Sequence, residues 1–221
     1  MDIVVLGTGT VGRTLAGALA DLGHSVSIGT RDPAQTLGRD VGDGTFADWL
    51  AEHPKVALVD VADVITPSCD LVVNATSGVA SLAALAATDL ATTPGVVLLD
   101  VANALDFSGG FPPRLAVCND DSLGEQLQRA YPEALVVKSL NTVNAAVMVA
   151  PGDTSIFLAG DDAGAKDLVS ELLATLGWRD VIDLGGIAAA RGMEMYMPLW
   201  LAMMAARGNA SFNVRVTDLP G

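Results

Sequence analysis

Histidine, cysteine and basic residues are the scarce types in this 221-residue chain. The two histidines are His24, in a helix-to-strand turn, and His53, before Pro54 at a helix end. A histidine-based catalytic triad or metal site therefore has little to stand on. Cys69 and Cys118 are far apart and form no Cys-x-x-Cys or Cys/His spacing, so a disulfide framework is unsupported and reduced thiols are expected. Lysine and arginine number 12 against 26 acidic residues, a net charge of -14. Such a field repels nucleic acid and anionic membrane surfaces, and neither is expected as a partner. No apolar run reaches the roughly 18 residues of a membrane span, and the N-terminus lacks the basic region of a signal peptide. A soluble cytoplasmic protein is expected.

What is abundant is apolar. Hydrophobic residues make up 51% of the chain and the mean hydropathy is +0.44, enough to bury a sizeable core at this length. The order of apolar runs and helical patterns predicts an α/β fold of the Rossmann type: a doubly wound, mostly parallel sheet with a small C-terminal α/β lobe. Residues 1–150 are expected to form the nucleotide-binding domain and 151–221 the lobe packed on it, although the whole of 1–221 also serves as one domain.

The organising stretch is at the N-terminus. Asp2-Ile3-Val4-Val5-Leu6 has no room for a solvated face and reads as a buried parallel strand. It breaks into Gly7-Thr8-Gly9-Thr10-Val11-Gly12, and a helical pattern at Leu15, Leu19 and Leu22 follows. A glycine triplet alone is a weak signal, but strand before, helix after and a second strand from Ser25 to Ile28 make it a dinucleotide-binding fingerprint. Gly7 allows the tight turn, Gly9 the approach of a pyrophosphate and Gly12 close packing of helix on strand, with the helix N-terminus facing the anion. The second strand then ends in Gly29-Thr30-Arg31-Asp32-Pro33. Where an NAD-specific fold carries an acid for the ribose hydroxyls, this chain has Thr30 and Arg31, a hydroxyl and a guanidinium that suit the 2'-phosphate of NADP. A solvated arginine in a turn is the plainer alternative for Arg31.

Further strands are expected at 55–60, 70–74, 95–100 and 134–140, and in open parallel sheets ligands lie at the carboxyl ends of strands. That rule brings Asn74, Thr76, Ala102 and Asn103 to a cofactor path, with helix capping an equal alternative for Asn103. Phe107 to Pro113 reads as a flap over the sheet edge. Asn141, in the polar run Asn141-Thr142-Val143-Asn144 after the 134–140 strand, is expected at the nicotinamide end, with a plain asparagine-rich turn as the alternative. Beyond Pro151, a strand at 155–159, a helix at 162–176 and a strand at 178–184 are followed by a long apolar helix from Ile187 to Arg207 with a kink at Pro198. Residues 211–216 alternate as a closing edge strand would. A helix apolar nearly all round must bury more than one face, which predicts a homodimer.

The segments Gly7 to Gly12, Gly29-Thr30-Arg31-Asp32, Val137-Lys138-Ser139-Leu140-Asn141-Thr142, Gly160-Asp161-Asp162 and Ala190-Arg191-Gly192-Met193-Glu194 resemble, in that order, the F420-dependent NADP oxidoreductases and their bacterial relatives. The likeness runs over nearly the whole chain. The Lys138 to Thr142 segment is also similar to the soluble reductase module of the STEAP metalloreductases. The resemblance implies NADP as cofactor, a hydride exchanged with F420 or a flavin (FMN or FAD), and a dimer. By matching position it implies pyrophosphate at Thr8 to Val11, the 2'-phosphate at Thr30 and Arg31, the nucleotide path at Thr76 and Ala102, and the nicotinamide region at Asn141.

The reading that follows is an NADP-dependent oxidoreductase acting on a small-molecule redox acceptor. No catalytic residue and no metal ligand is nominated, because two stacked cofactors supply the reactivity. A small NADPH-dependent imine or carbonyl reductase, and a non-enzymatic NADP-binding sensor or scaffold, are the alternatives. Lys138 and Arg191, with Arg207 more distant, are the cations expected to receive an anionic acceptor tail.

Overall fold

The computed structural model describes residues 1–219. The first half runs β1 (Asp2–Leu6), α1 (Thr10–Asp21), β2 (Ser25–Thr30), α2 (Pro33–Leu37), α3 (Phe46–Glu52) and β3 (Val56–Asp60). It continues through β4 (Leu71–Asn74), α4 (Ser81–Leu85), β5 (Val97–Asp100), the short hairpin β6 (Leu105–Asp106) and β7 (Arg114–Leu115), α5 (Leu123–Ala130) and β8 (Leu135–Ser139). The remainder is α6 (Ala145–Met148), β9 (Ser155–Gly160), α7 (Ala163–Thr175), β10 (Asp180–Asp183), α8 (Ala190–Met195) and α9 (Met197–Arg207).

Eight strands form one sheet in the order β10-β9-β8-β5-β4-β1-β2-β3. Every pairing is parallel except β8 with β9. The expected doubly wound architecture is thus present, and strands on both sides of residue 150 belong to the same sheet. From β1 the chain winds outward to β2 and β3, then returns to β4 on the other side, so the strand order reverses between β1 and β4 and opens a crevice at their carboxyl ends.

Burial on both faces explains the unbroken apolar strands. Ile3, Val5, Val73, Leu99 and Val137 pack with Leu15, Leu19, Val169 and Leu173 of α1 and α7 on one face. Val4, Leu6, Val72, Leu98 and Val136 pack with Leu85, Leu123 and Leu127 of α4 and α5 on the other. The alternation of neighbours such as Val4 and Val5 between two cores follows from the two-residue period of a strand.

Two local expectations differ from the structure, and one short helix appears where none was expected. Helix α2 was hidden by its five-residue length, too short for a periodic pattern. Its start is nevertheless written locally: the Asp32 carboxylate accepts from Gln35 N at 2.8 Å and Pro33 stands in the first turn. The long helix is divided into a 3-10 turn (Ile187–Ala189), α8 and α9, with Tyr196 between the last two; the break just before Pro198 reflects that residue's missing N–H. Residues 211–216 form no strand. Both edges of β9 are taken by β8 and β10, so the tail crosses its first residue instead: Ser155 N donates to the Val214 carbonyl at 3.0 Å and Val216 N to Ser155 Oγ at 2.8 Å. Phe212 stacks on Trp200, with centroids 5.4 Å apart.

Among the described residues no helix is long and apolar enough to cross a membrane, and no group of three or more His, Cys, Asp or Glu side chains could hold a metal ion.

Candidate functional site

The turn after β1 is built by backbone contact. Gly7 has φ +123°, and a Cβ there would stand 2.3 Å from the Ala75 carbonyl oxygen; one at Gly12 would stand 1.9 Å from the Gly7 carbonyl oxygen. These two glycines let strand, turn and helix close on one another. Gly9 is different, because a Cβ there would meet nothing within 4 Å. Packing within the chain does not require glycine at this position. It caps α1 with no side-chain hydrogen bond, which leaves free amides and the positive end of the helix dipole beside open space.

Arginines surround this turn in a chain that has few. Arg31 is exposed at the end of β2, and among the described residues its side chain makes no hydrogen bond or ion pair. Arg39, in the loop after α2, reaches back to donate to the Thr8 carbonyl at 2.8 Å. Arg13 donates to the Val41 carbonyl at 3.2 Å. Burial, and then the Arg39 charge, press its guanidinium below the ordinary pKa while Asp43 opposes them. The Thr30 hydroxyl lies 2.8 Å from that of buried Thr36, so α2 orients it.

A cavity of about 250 Å³ opens over the ends of β4, β5 and β8. Of the residues singled out in the sequence, Val11, Thr76, Ala102, Asn103 and Asn141 line it. Asn74 does not. It is fully buried and works behind the wall, its Nδ2 donating to Asp100 Oδ1 at 2.8 Å and to Ser81 Oγ at 2.9 Å, while its Oδ1 accepts from the Thr76 hydroxyl at 2.7 Å. Asn103 caps no helix. Its Nδ2 donates to the Asn141 carbonyl at 2.7 Å, and its Oδ1 accepts from Asn141 Nδ2 at 3.0 Å. Asn141 Nδ2 also donates to the Met193 carbonyl at 3.1 Å. Two acceptors facing Nδ2 fix the orientation of that amide. Its Oδ1 is then a buried acceptor with no partner among the described residues, in a residue of the cavity wall. Such an atom awaits a donor, because leaving it unpaired costs about 1 to 3 kcal/mol.

Gly78 is a wall residue that no sequence pattern singled out. A Cβ at Gly78 would stand 2.2 Å from the Asn103 carbonyl oxygen, so only glycine lets the loop after β4 touch the loop after β5. The β6–β7 hairpin carries the expected flap and holds Phe107 at the cavity edge with 59% of its surface exposed.

Behind the same wall lies a buried ion cluster. Register aligns Asn74, Asp100 and Lys138 side by side on β4, β5 and β8. Lys138 Nζ is 2.7 Å from Asp100 Oδ2, 2.9 Å from Glu194 Oε1 and 2.5 Å from the Ala102 carbonyl oxygen. All three side chains are at most 3% exposed. Glu194 also accepts from Leu123 N at 2.9 Å and Gly124 N at 3.1 Å, at the start of α5. Desolvation presses the Lys138 ammonium down, yet the charges of Asp100 and Glu194 outweigh it and its pKa lies above the ordinary value. The expectation that Lys138 receives an anionic acceptor tail is therefore corrected: its charge is spent inside the sheet. Arg191 is also engaged, Nε and Nη2 donating to the Glu125 carboxylate at 2.8 and 2.6 Å.

Fold, fingerprint and crevice together define a Rossmann-type α/β protein with its open site at the reversal of strand order. No family model matches the chain. A crystal structure from Arthrobacter sp. FB24, described as a "putative F420 dependent NADP-reductase", is 55% identical and superposes with a TM-score of 0.94, over 99% of this chain and 100% of that one. An F420-dependent NADP reductase from Methanothermobacter marburgensis is 29% identical over 240 residues, spanning 100% of both chains. The rat Metalloreductase STEAP3 is 29% identical over 206 residues, which cover 89% of this chain and 37% of that protein. The chain belongs to the F420-dependent NADP reductase family.

Proposed function

We propose that this protein is an NADP-dependent oxidoreductase of the cytoplasm that moves a hydride between NADPH and a deazaflavin, F420, or a flavin such as FMN or FAD. Family membership over the full chain supports the reaction class. The observation that carries the assignment to this cavity is Asn141 Oδ1, a buried acceptor without a partner, which suits the carboxamide N–H of a nicotinamide. In this reading NADP supplies the hydride chemistry and the protein supplies position. The pyrophosphate lies on the amides of Thr8 to Val11, Arg31 and Arg39 hold the 2'-phosphate with Thr30 beside them, and Thr76, Ala102 and Asn103 border the path to Asn141. Asn74 acts through Thr76.

The test is rapid mixing of protein and NADPH with F420 and, separately, with FMN. Loss of NADPH absorbance with F420 is expected; oxidation by FMN alone would reject the deazaflavin, and oxidation by neither would leave an NADP-binding sensor. The phosphate contact has its own test. Arg31→Ala is expected to weaken NADPH about ten- to hundredfold and leave NADH unchanged, as read by fluorescence titration. Equal weakening of both would make Arg31 structural.

The reading extends to a homodimer. In α9 only Met197 and Trp200 are buried, while Leu199 is 57% exposed and Met195, at the end of α8, 37% exposed. A second copy covering this apolar surface predicts a dimer mass in light scattering at micromolar concentration.

A further inference from the structure

The charge state of the buried cluster follows from its hydrogen bonds. Asp100 Oδ1 accepts from Asn74 Nδ2 at 2.8 Å and Ala102 N at 3.2 Å, and Oδ2 faces Lys138 Nζ at 2.7 Å. Glu194 Oε2 accepts from Leu123 N at 2.9 Å; Oε1 accepts from Gly124 N at 3.1 Å and faces Lys138 Nζ at 2.9 Å. Every carboxylate oxygen meets donors only, so neither group has an acceptor for a proton of its own, and both are ionised. Lys138 Nζ has three acceptors for three protons and is an ammonium. Two negative charges and one positive leave the cluster at -1.

That charge has a fixed place relative to the cavity. Asp100 is bonded to the backbone of Ala102, a wall residue, and immediately precedes Val101, another. Glu194 follows Met193, whose carbonyl holds Asn141 of the same wall. The oxidised nicotinamide ring carries a positive charge and the reduced ring is neutral. Resting on the NADP reading above, we propose that the Asp100–Lys138–Glu194 cluster selects the charge state of the bound nicotinamide, favouring NADP⁺ over NADPH from behind the wall. A purely structural clamp would serve both forms equally. The cluster also explains why two carboxylates are kept where one would neutralise Lys138. The amides at the start of α5 offset part of the Glu194 charge, and a net unit charge acting over roughly 12 to 17 Å at an effective dielectric of about 20 is worth about five- to tenfold in relative affinity.

The experiment is fluorescence titration of the intact protein with NADPH and competition by NADP⁺, in 0.1 M and 0.5 M KCl. The exposed acidic surface also favours the less anionic NADP⁺, but salt screens it and leaves a buried charge largely unscreened. Wild-type protein is expected to keep its preference for NADP⁺ at 0.5 M KCl. Glu194→Gln is expected to move the ratio Kd(NADP⁺)/Kd(NADPH) five- to tenfold toward NADPH, and Asp100→Asn in the same direction. Variants that weaken both forms by one factor would overturn the proposal and leave a clamp. Should neither variant fold, the wild-type arm decides: a preference that disappears at 0.5 M KCl belongs to the surface field. Wild-type protein that binds neither nucleotide would overturn the NADP reading itself, a result distinct from binding both with equal affinity.

Discussion

Lys138→Ala is expected to cost about 3 to 5 kcal/mol of folding stability, the range for breaking a buried ion pair. The residue is fully buried and, among the described residues, is the only cation touching Asp100 or Glu194. Its loss leaves two buried carboxylates facing each other without a counter-charge, and an orphaned Ala102 carbonyl beside them. Against a total of roughly 5 to 15 kcal/mol, that is a large fraction. In a chain of this length it corresponds to a fall in Tm of about 6 to 20 °C. Thermal and urea unfolding would measure it. Lys166→Ala is the control: its partner Asp183 is 52% exposed, and surface pairs contribute about 0 to 1 kcal/mol. A loss below about 1 kcal/mol would show that the cluster is not sealed from solvent.

Gly9→Ala and Gly12→Ala are expected to separate binding from folding within one turn. At Gly12 the new methyl would collide with backbone, 1.9 Å from the Gly7 carbonyl oxygen, and neither strand nor helix can retreat without unpacking. Several kcal/mol of destabilisation should result. At Gly9 the methyl meets nothing within 4 Å and φ is -79°, a backbone that alanine adopts freely. Stability should change by no more than about 1 kcal/mol, the loss of glycine as a helix cap included. The methyl does occupy the space beside the free amides of α1, and NADPH affinity should fall at least about tenfold, equivalent to 1.4 kcal/mol. Calorimetry with and without NADPH reads both quantities. A Gly9→Ala protein with wild-type affinity would remove the pyrophosphate from this turn.

What the chain reveals by itself is what is local in it. Mostly apolar runs of four or five residues mark β1, β4, β5 and β8, because a strand buried on both faces admits no solvated position along its middle. The glycine turn is legible because its three glycines act within six residues of each other. The break before Pro198 needs only one missing N–H. From these elements the Rossmann order and the crevice follow, since right-handed crossovers and the reversal of winding leave few other arrangements.

The polar residues at the strand ends are a different matter. Asn74, Asp100 and Lys138 each stand at or near the end of an apolar run, where a sequence reading gives them to solvent or ligand. Strand register sets them in one row, pointing into the core shared with α4 and α5. Glu194, 56 residues beyond Lys138 in the chain, arrives only when α8 packs over α5. Gly78 meets Asn103, and Arg39 meets Thr8, through loops whose course no periodicity records. Composition and pattern determined the layers and where the site opens. Which polar groups face that site and which are paired behind it was decided by register and packing, because burial of a charge depends on partners distant in sequence, and the cost of leaving one unpaired exceeds any local preference.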